Sequence, residues 1–277
     1  MSLAAELALA RVLAAEAGVI VMAIRNGNLQ IEYKPGDEPV TVADRQASDL
    51  IAAGVAAAFP HDIVISEENP DDLRRITAQR VWYIDPIDGT KDYIAGRDGF
   101  AVMIGLCIDG EPVLGVVAQA SCQRTYVAAR GLGAWLEQAG QPDLALSVST
   151  ITVAGEARLV ASQSHRTHDI DRVKSELGIR DEKNIGSVGL KLSLIAEGTR
   201  DLYVNPTPKA KLWDTCAPDA IIRLAGGMLT DLSGLPLNYQ QSSVAHHRGM
   251  IGSNGLIHQE TITRLAPLFG HLAPPLP

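Results

Sequence analysis

Apolar residues recur at helical spacing from the start of the chain. Leu7, Ala10, Leu13, Ala14 and Ala17 fall on one face and Gly27 stops the run, which predicts an amphipathic helix over 3–26. A second helix is expected over 43–58, opened near Thr41 or Asp44 and ended before Pro60. Between them, Glu32 to Pro39 is polar and carries Pro35 and Gly36, so it reads as a mobile loop.

Short apolar runs follow. Asp62 to Ser66 and Val81 to Asp85 read as strands, each delivering an acidic residue at or just past its end. Runs over 100–108 and 113–119 flank Asp109-Gly110-Glu111-Pro112, which predicts an antiparallel hairpin, and 124–129 and 134–137 continue the same sheet. Past about residue 150 the pattern changes to a strand at 157–162, helices near 168–177 and 188–197, and an Ala-rich helix over 214–226. The expected division is therefore 1–150 and 151–277, with a frayed Pro-rich tail at Ala273–Pro277.

Composition narrows the class. With 46% apolar and 20% charged residues the chain reads as an ordinary globular protein of 277 residues. A net charge of −8 argues against a nucleic acid polymer as partner, because phosphate-backbone binding needs a basic surface. It leaves room for a small anion beside a bound metal, which inverts the local field. Cys107, Cys122 and Cys216 form an odd set without CxxC spacing and read as reduced core thiols. The N-terminus lacks a charged region followed by a cleavable apolar run, and no apolar run of about 18 residues is evident, so no integral membrane segment and a cytoplasmic location are expected.

The candidate chemistry lies in Asp85-Pro86-Ile87-Asp88-Gly89-Thr90. Two carboxylates three positions apart, with a carbonyl between them, suit a hard divalent cation such as Mg²⁺. The adjoining Gly-Thr pair offers a backbone N–H and a hydroxyl to a phosphate. Metal and phosphate side by side suggest phosphoryl transfer to water. One carboxylate pair does not hold two cations, so Glu67-Glu68, Asp214 and Asp44 become further candidates. Taken singly, Asp214 and Asp44 read as helix caps and Glu67-Glu68 as a solvated pair; their occurrence together with the motif sets them apart. Gly131-Leu132-Gly133-Ala134 lacks the strand and helix of a dinucleotide site, and His246-His247 reads as a surface pair.

Three blocks, ISEE at 65–68, DPIDGTKDY at 85–93 and WDTCAPDA at 213–220, resemble in order and spacing the signatures of the inositol monophosphatase superfamily. Lys91 after Gly-Thr, ASQSH at 161–165 and GSVGLKLSLIAEG at 186–198 are similar to its 3′(2′),5′-bisphosphate nucleotidase branch. The resemblance implies a layered α-β-α-β-α sandwich and a lithium-sensitive phosphomonoesterase carrying two or three Mg²⁺ ions. It also implies a nucleotide bisphosphate or sugar phosphate as substrate, and a homodimer.

Residue by residue, the resemblance assigns Glu67, Asp85 and the Ile87 carbonyl to a first metal, and Asp85, Asp88 and Asp214 to a second. Glu68 has the weaker claim. Asp44 paired with Thr90 would orient the attacking water for in-line displacement, with Glu67 beside it. Asp88, Gly89, Thr90, His165, Ser187, Lys191 and Asp214 would contact the substrate, Lys191 as a point charge for a second phosphate. Before the third block, where several nucleotide-branch members carry Arg, this chain has Asn205-Pro206-Thr207-Pro208-Lys209-Ala210-Lys211, which supplies charge without a bidentate fork.

Overall fold

The computed structural model describes residues 2–27, 29–34, 38–164 and 166–269. Helices α1 (Ala4–Arg25) and α2 (Val42–Ala58) match the two predicted amphipathic runs. Between them, strands β1 (Ile31–Lys34) and β2 (Glu38–Thr41) pair antiparallel, Ile31 opposite Thr41 and Lys34 opposite Glu38. This corrects the loop expected over 32–39. Its alternation is invisible because β1 buries neither face, and Pro39 is tolerated because a two-stranded ribbon has only edge strands. Pro35 and Gly36 lie outside the described residues.

A seven-stranded sheet follows, built in chain order from β3 (Ile63–Ser66), β4 (Arg80–Asp88), β5 (Ala101–Ile108), β6 (Glu111–Gln119), β7 (Arg124–Ala129), β8 (Gly133–Gln138) and β9 (Leu144–Ala145). Only β3 and β4 run parallel; every other pair is antiparallel. The short helix α3 (Thr90–Ile94) leaves the end of β4.

The second sheet has strand order β11-β10-β12-β14-β13, from β10 (Leu159–Ser162), β11 (Glu182–Ile185), β12 (Leu202–Asn205), β13 (Met228–Thr230) and β14 (Met250–Ser253). Helices α4 (His168–Leu177), α5 (Val188–Ala196), α6 (Leu212–Leu224) and α7 (His258–Phe269) complete the fold. Sequence periodicity passes over β11 to β14 because they are three or four residues long, and β11 alternates polar residues.

Side-chain alternation along the strands makes the layers. On β4, Trp82 and Ile84 face α1 and α2, packing with Leu7, Leu13, Val21, Ile51 and Val55. Val81 and Tyr83 point the other way, towards α5 and α6. Those two helices fill the space between the sheets: Ala217 and Ile221 meet Met103 and Val117 of the first sheet, and Ile222, Leu192 and Ile195 meet Val160, Tyr203 and Leu229 of the second. On the far face, Leu202 and Val204 of β12 pack with Ile170, Val173, Leu265 and Phe269 of α4 and α7. The five layers are thus α1/α2, sheet, α5/α6, sheet, α4/α7, as the resemblance implied.

The central helix lies unusually close to the first sheet. A Cβ on Gly105 would stand 2.6 Å from the Ala217 nitrogen, and one on Gly115 would stand 2.0 Å from the Ala217 oxygen. Both positions therefore need glycine for α6 to dock.

By length and composition α1 is apolar enough to cross a membrane, its most apolar 18-residue stretch having a mean hydropathy of 2.1, although Arg11 and Glu16 interrupt the apolar run. Its many alanines make it apolar overall. In the fold, Leu7, Ala10, Leu13, Ala14, Ala17 and Val21 are buried in the core. Cys122 is also exposed rather than in the core; Cys107 and Cys216 are buried with their sulfurs 3.5 Å apart.

Candidate active site

Parallel pairing of β3 with β4 sets the first two acids side by side. Ser66 lies opposite Ile84, and the Glu67 N–H continues the ladder to the Ile84 carbonyl at 3.1 Å, which places Glu67 next to Asp85. The β4 strand runs on through Asp88 instead of ending at Asp85, and the register against β5 shifts between those two residues. That irregularity turns Asp85, the Ile87 carbonyl and Asp88 into one region. At Gly89 the backbone takes φ +94, and a Cβ there would meet the Gly99 oxygen at 2.6 Å. Only glycine makes this turn from strand into α3 without strain.

Three helices start at this place, and each N-terminus holds a carboxylate. At α2, Asp44 is the third residue and accepts from the Thr41 N–H at 2.7 Å and its hydroxyl at 2.6 Å. At α6, which begins at Leu212 and not at Asp214, Asp214 is again the third residue and accepts from the Lys211 N–H at 2.8 Å. At α5 the carboxylate comes from another element: Asp88 accepts from the Ser187 hydroxyl at 2.5 Å and the Gly189 N–H at 2.7 Å. The positive ends of three helix dipoles thus face one acidic cluster and offset part of its mutual repulsion.

Glu67, Asp85, Asp88 and Asp214 line a single cavity of about 470 Å³ with Ile87, Gly89, Thr90 and Lys191. Burial raises the pKa of every one of these acids, and their neighbours add to it. Asp85 is pushed well above the usual carboxylate range by burial and by Glu67, Asp88, Asp214 and Asp44. Asp214 is raised in the same way by burial, Asp88 and Glu67. Glu67 rises to about 7 and Asp44 to about 6, chiefly through burial. A set of like charges that the fold brings together at such cost is the signature of a site awaiting a countercharge.

The donor set is all oxygen, which suits a hard divalent cation. Among the described residues, no three His, Cys, Asp or Glu side chains are already closed into a metal cage. Two contacts account for the open arrangement. Lys34 Nζ bonds Glu67 at 3.2 Å and Glu68 at 2.6 Å, and Asp85 turns an oxygen to the Ile87 N–H at 3.0 Å.

The remaining candidates fall in several places. Thr90 and Asp44 are not hydrogen-bonded to each other: the Thr90 hydroxyl donates to the Ile87 carbonyl at 3.0 Å, and Asp44 is taken up by Thr41. Ser187 is fully buried, is absent from the cavity lining and fixes Asp88. Lys191 is buried at the cavity wall, donates to the Gly186 and Ile185 carbonyls at 2.6 and 3.2 Å, and lies over the Tyr203 ring. Burial lowers its pKa to about 8, while Asp88, Asp92 and Asp214 oppose the fall. His165 lies outside the described residues.

Lys34, whose loop resembles the family's mobile loop beside the metals, and His246 were not named as site residues from the sequence. Lys34 reaches the acids only because β1 pairs with β2 ahead of α2. His246, expected at the surface, is buried with its ring 2.8 Å from the Thr215 hydroxyl, and only His247 is exposed.

Comparison with known proteins decides the ancestry of this arrangement. The family model described as the inositol monophosphatase family matches residues 3–268. The chain belongs to the inositol monophosphatase family. The 3′(2′),5′-bisphosphate nucleotidase CysQ of Salmonella typhimurium is 37% identical over 230 residues, covering 82% of this chain and 91% of the relative. A histidinol-phosphatase of Mycobacterium tuberculosis is 34% identical over 241 residues, covering 86% and 88%. Among solved structures, Thermotoga maritima IMPase superposes with a TM-score of 0.79 at 27% identity, covering 94% of this chain and 96% of that one. CysQ from Bacteroides thetaiotaomicron gives 0.75 at 26% identity, covering 90% and 97%. As a member of this family, the chain is a phosphoric monoester hydrolase.

Proposed function

We propose that this phosphatase is a Mg²⁺-dependent 3′(2′),5′-bisphosphate nucleotidase, converting adenosine 3′,5′-bisphosphate to AMP and phosphate. The observation that carries the reading is one cavity with two characters. Its lining holds the acids Glu67, Asp85, Asp88 and Asp214 together with the cations Lys191, Lys209, Lys211 and Arg166, the last paired with Asp171 and Glu182. Such a cavity suits a substrate with one phosphate at the metals and a second anionic group several ångströms away. The similarity to CysQ nucleotidases supports it.

In this reading Glu67, Asp85 and the Ile87 carbonyl would hold one Mg²⁺, and Asp85, Asp88 and Asp214 would hold another. Bound there, the ions supply Lewis-acid chemistry, acidifying water and screening the phosphate's charge. The protein's own part is placement. Gly89 and Thr90 receive the phosphate, and the Thr90 hydroxyl fixes the Ile87 carbonyl. Ser187 and the α5 N-terminus hold Asp88 against the cavity. Residues 1–150 contribute most of the acids, and 151–277 contribute Asp214 and the substrate contacts, Lys191 among them.

A second reading, a monophosphatase for histidinol phosphate, inositol phosphate or a related sugar phosphate, is favoured by the 34% identity to a histidinol-phosphatase. One panel separates them: phosphate release with Mg²⁺ from adenosine 3′,5′-bisphosphate, histidinol phosphate, inositol 1-phosphate and fructose 1,6-bisphosphate at equal concentration. The nucleotide is expected to have the highest kcat/KM, with Li⁺ inhibiting. A higher value for a monophosphate overturns the proposal.

A further inference from the structure

We propose that His246 is a positioning residue for the phosphatase centre, holding the first turn of α6 so that the Asp214 carboxylate stays aimed into the acidic cavity. The inference rests on the reading of Asp214 as a metal ligand.

The segment around His246 clamps the chain that enters α6. Ala245 pairs with Lys211 in an antiparallel bridge, the Leu212 N–H donates to the Val244 carbonyl at 2.9 Å, and the His246 N–H donates to the Ala210 carbonyl at 2.8 Å. The His246 ring is 4% exposed and meets Tyr239 edge-on, at 6.0 Å and 83°. It does not line the cavity.

One hydrogen bond ties the ring to the first turn of α6. Thr215 Oγ1 lies 2.8 Å from His246 Nε2, 3.2 Å from the Leu212 carbonyl and 3.4 Å from the Lys211 carbonyl. Burial keeps the ring neutral, with its pKa lowered to about 4, so it carries one ring proton, and the tautomer sets which of the two groups donates. The contacts run from His246 to Thr215 and on to the carbonyls of Lys211 and Leu212. Lys211 in turn donates its N–H to Asp214. A group bonded directly to a metal ligand commonly contributes about 10- to 100-fold to metal affinity, and His246, two contacts further out, is expected at or below the lower end.

The test is Mn²⁺ binding by titration calorimetry, with melting temperature alongside, on the full chain and on His246→Ala, His246→Gln, Thr215→Val, the Ala/Val double variant and Asp214→Asn. His246→Ala and Thr215→Val are each expected to weaken Mn²⁺ binding about 3- to 10-fold. The double variant should be no weaker than Thr215→Val, which already removes the bond to His246 along with the contacts to the two carbonyls. His246→Gln, which keeps a side-chain N–H for Thr215, should recover most of the affinity. Wild-type Mn²⁺ affinity in folded His246→Ala or Thr215→Val, with only a lower melting temperature, would make the role purely structural and overturn the inference. Should His246→Ala fail to fold, His246→Leu fills the buried site, removes the same bond and tests it alone. Loss of binding in Asp214→Asn without loss in the others sinks this inference alone. Unchanged binding in Asp214→Asn sinks the reading of Asp214, and the inference with it.

Discussion

Removing one charge from the acidic cluster should stabilise the metal-free protein, and Glu67→Gln shows this most cleanly. In the metal-free fold Glu67 keeps its proton up to about pH 7, against 4.5 for the ordinary carboxyl, because it is buried beside Glu68 and Asp44. Between those values the folded chain binds a proton that the unfolded chain has released. Stability therefore falls as pH rises through this window and stays lowered above it. At 1.36 kcal/mol for each tenfold change in the proton equilibrium, the full cost is about 3 kcal/mol. A quarter of the side chain reaches solvent and Lys34 bonds it, so about 1–2 kcal/mol is the expected gain for Glu67→Gln at pH 8. That corresponds to a rise of about 2–6 °C in melting temperature for a chain of this size. At pH 4.5 both proteins carry a neutral group and should melt together. With Mg²⁺ at pH 8 the order should reverse: wild type gains about 2.7 kcal/mol at one hundred times Kd, and the variant gains little. Scanning calorimetry at both pH values, with chelator or with Mg²⁺, reads all of this. A variant less stable than wild type at pH 8 in chelator, or a difference that does not change with pH, would refute the electrostatic reasoning.

Other outcomes follow from the same geometry. Gly89→Ala places a Cβ 2.6 Å from the Gly99 oxygen at φ +94, so denaturant titration should show a loss of about 1–3 kcal/mol, and phosphate release should fall with it. Ser187→Ala removes the 2.5 Å donor to Asp88; Mg²⁺ titration of activity should show metal affinity down about 10-fold, and an unchanged Mg²⁺ requirement would mean that Gly189 suffices. Lys191→Met removes the buried ammonium from the cavity wall, so KM for adenosine 3′,5′-bisphosphate should rise more than KM for a monophosphate, as initial rates on both will show.

The sequence made part of the site legible for physical reasons. Asp85, Ile87 and Asp88 sit within four residues of one strand, so their convergence is local. Glu67 follows once β3 and β4 are paired, since the ladder sets it beside Asp85. Asp214 lies 126 residues beyond Asp88 in the chain, so it was a candidate only as an acid at a predicted helix start until the resemblance to the family's third block gave it a role. The long helices and the β5–β6 hairpin were readable from periodicity and turn chemistry.

What escaped depends on tertiary packing. β1 has no buried face to leave a period-two pattern, so the bonds of Lys34 to Glu67 and Glu68 had no local signal, although its loop resembles the family's mobile loop beside the metals. Ser187 was assigned to the substrate by the resemblance alone, and its bonds within the fold, capping α5 and reaching Asp88, had no signal in the sequence. His246 and His247 are identical in sequence character; only the bridge between Ala245 and Lys211 decides which one is buried.

All of the proposed chemistry depends on four carboxylates, gathered by one strand end, its parallel neighbour and the start of α6, acting as a seat for divalent cations. Anomalous scattering from crystals soaked in Mn²⁺ examines that seat without any intermediate step. Peaks bridged by Asp85, with Glu67 and the Ile87 carbonyl on one side and Asp88 and Asp214 on the other, are the predicted result. Density for Mn²⁺ elsewhere, or none among these four side chains at millimolar metal, would contradict it.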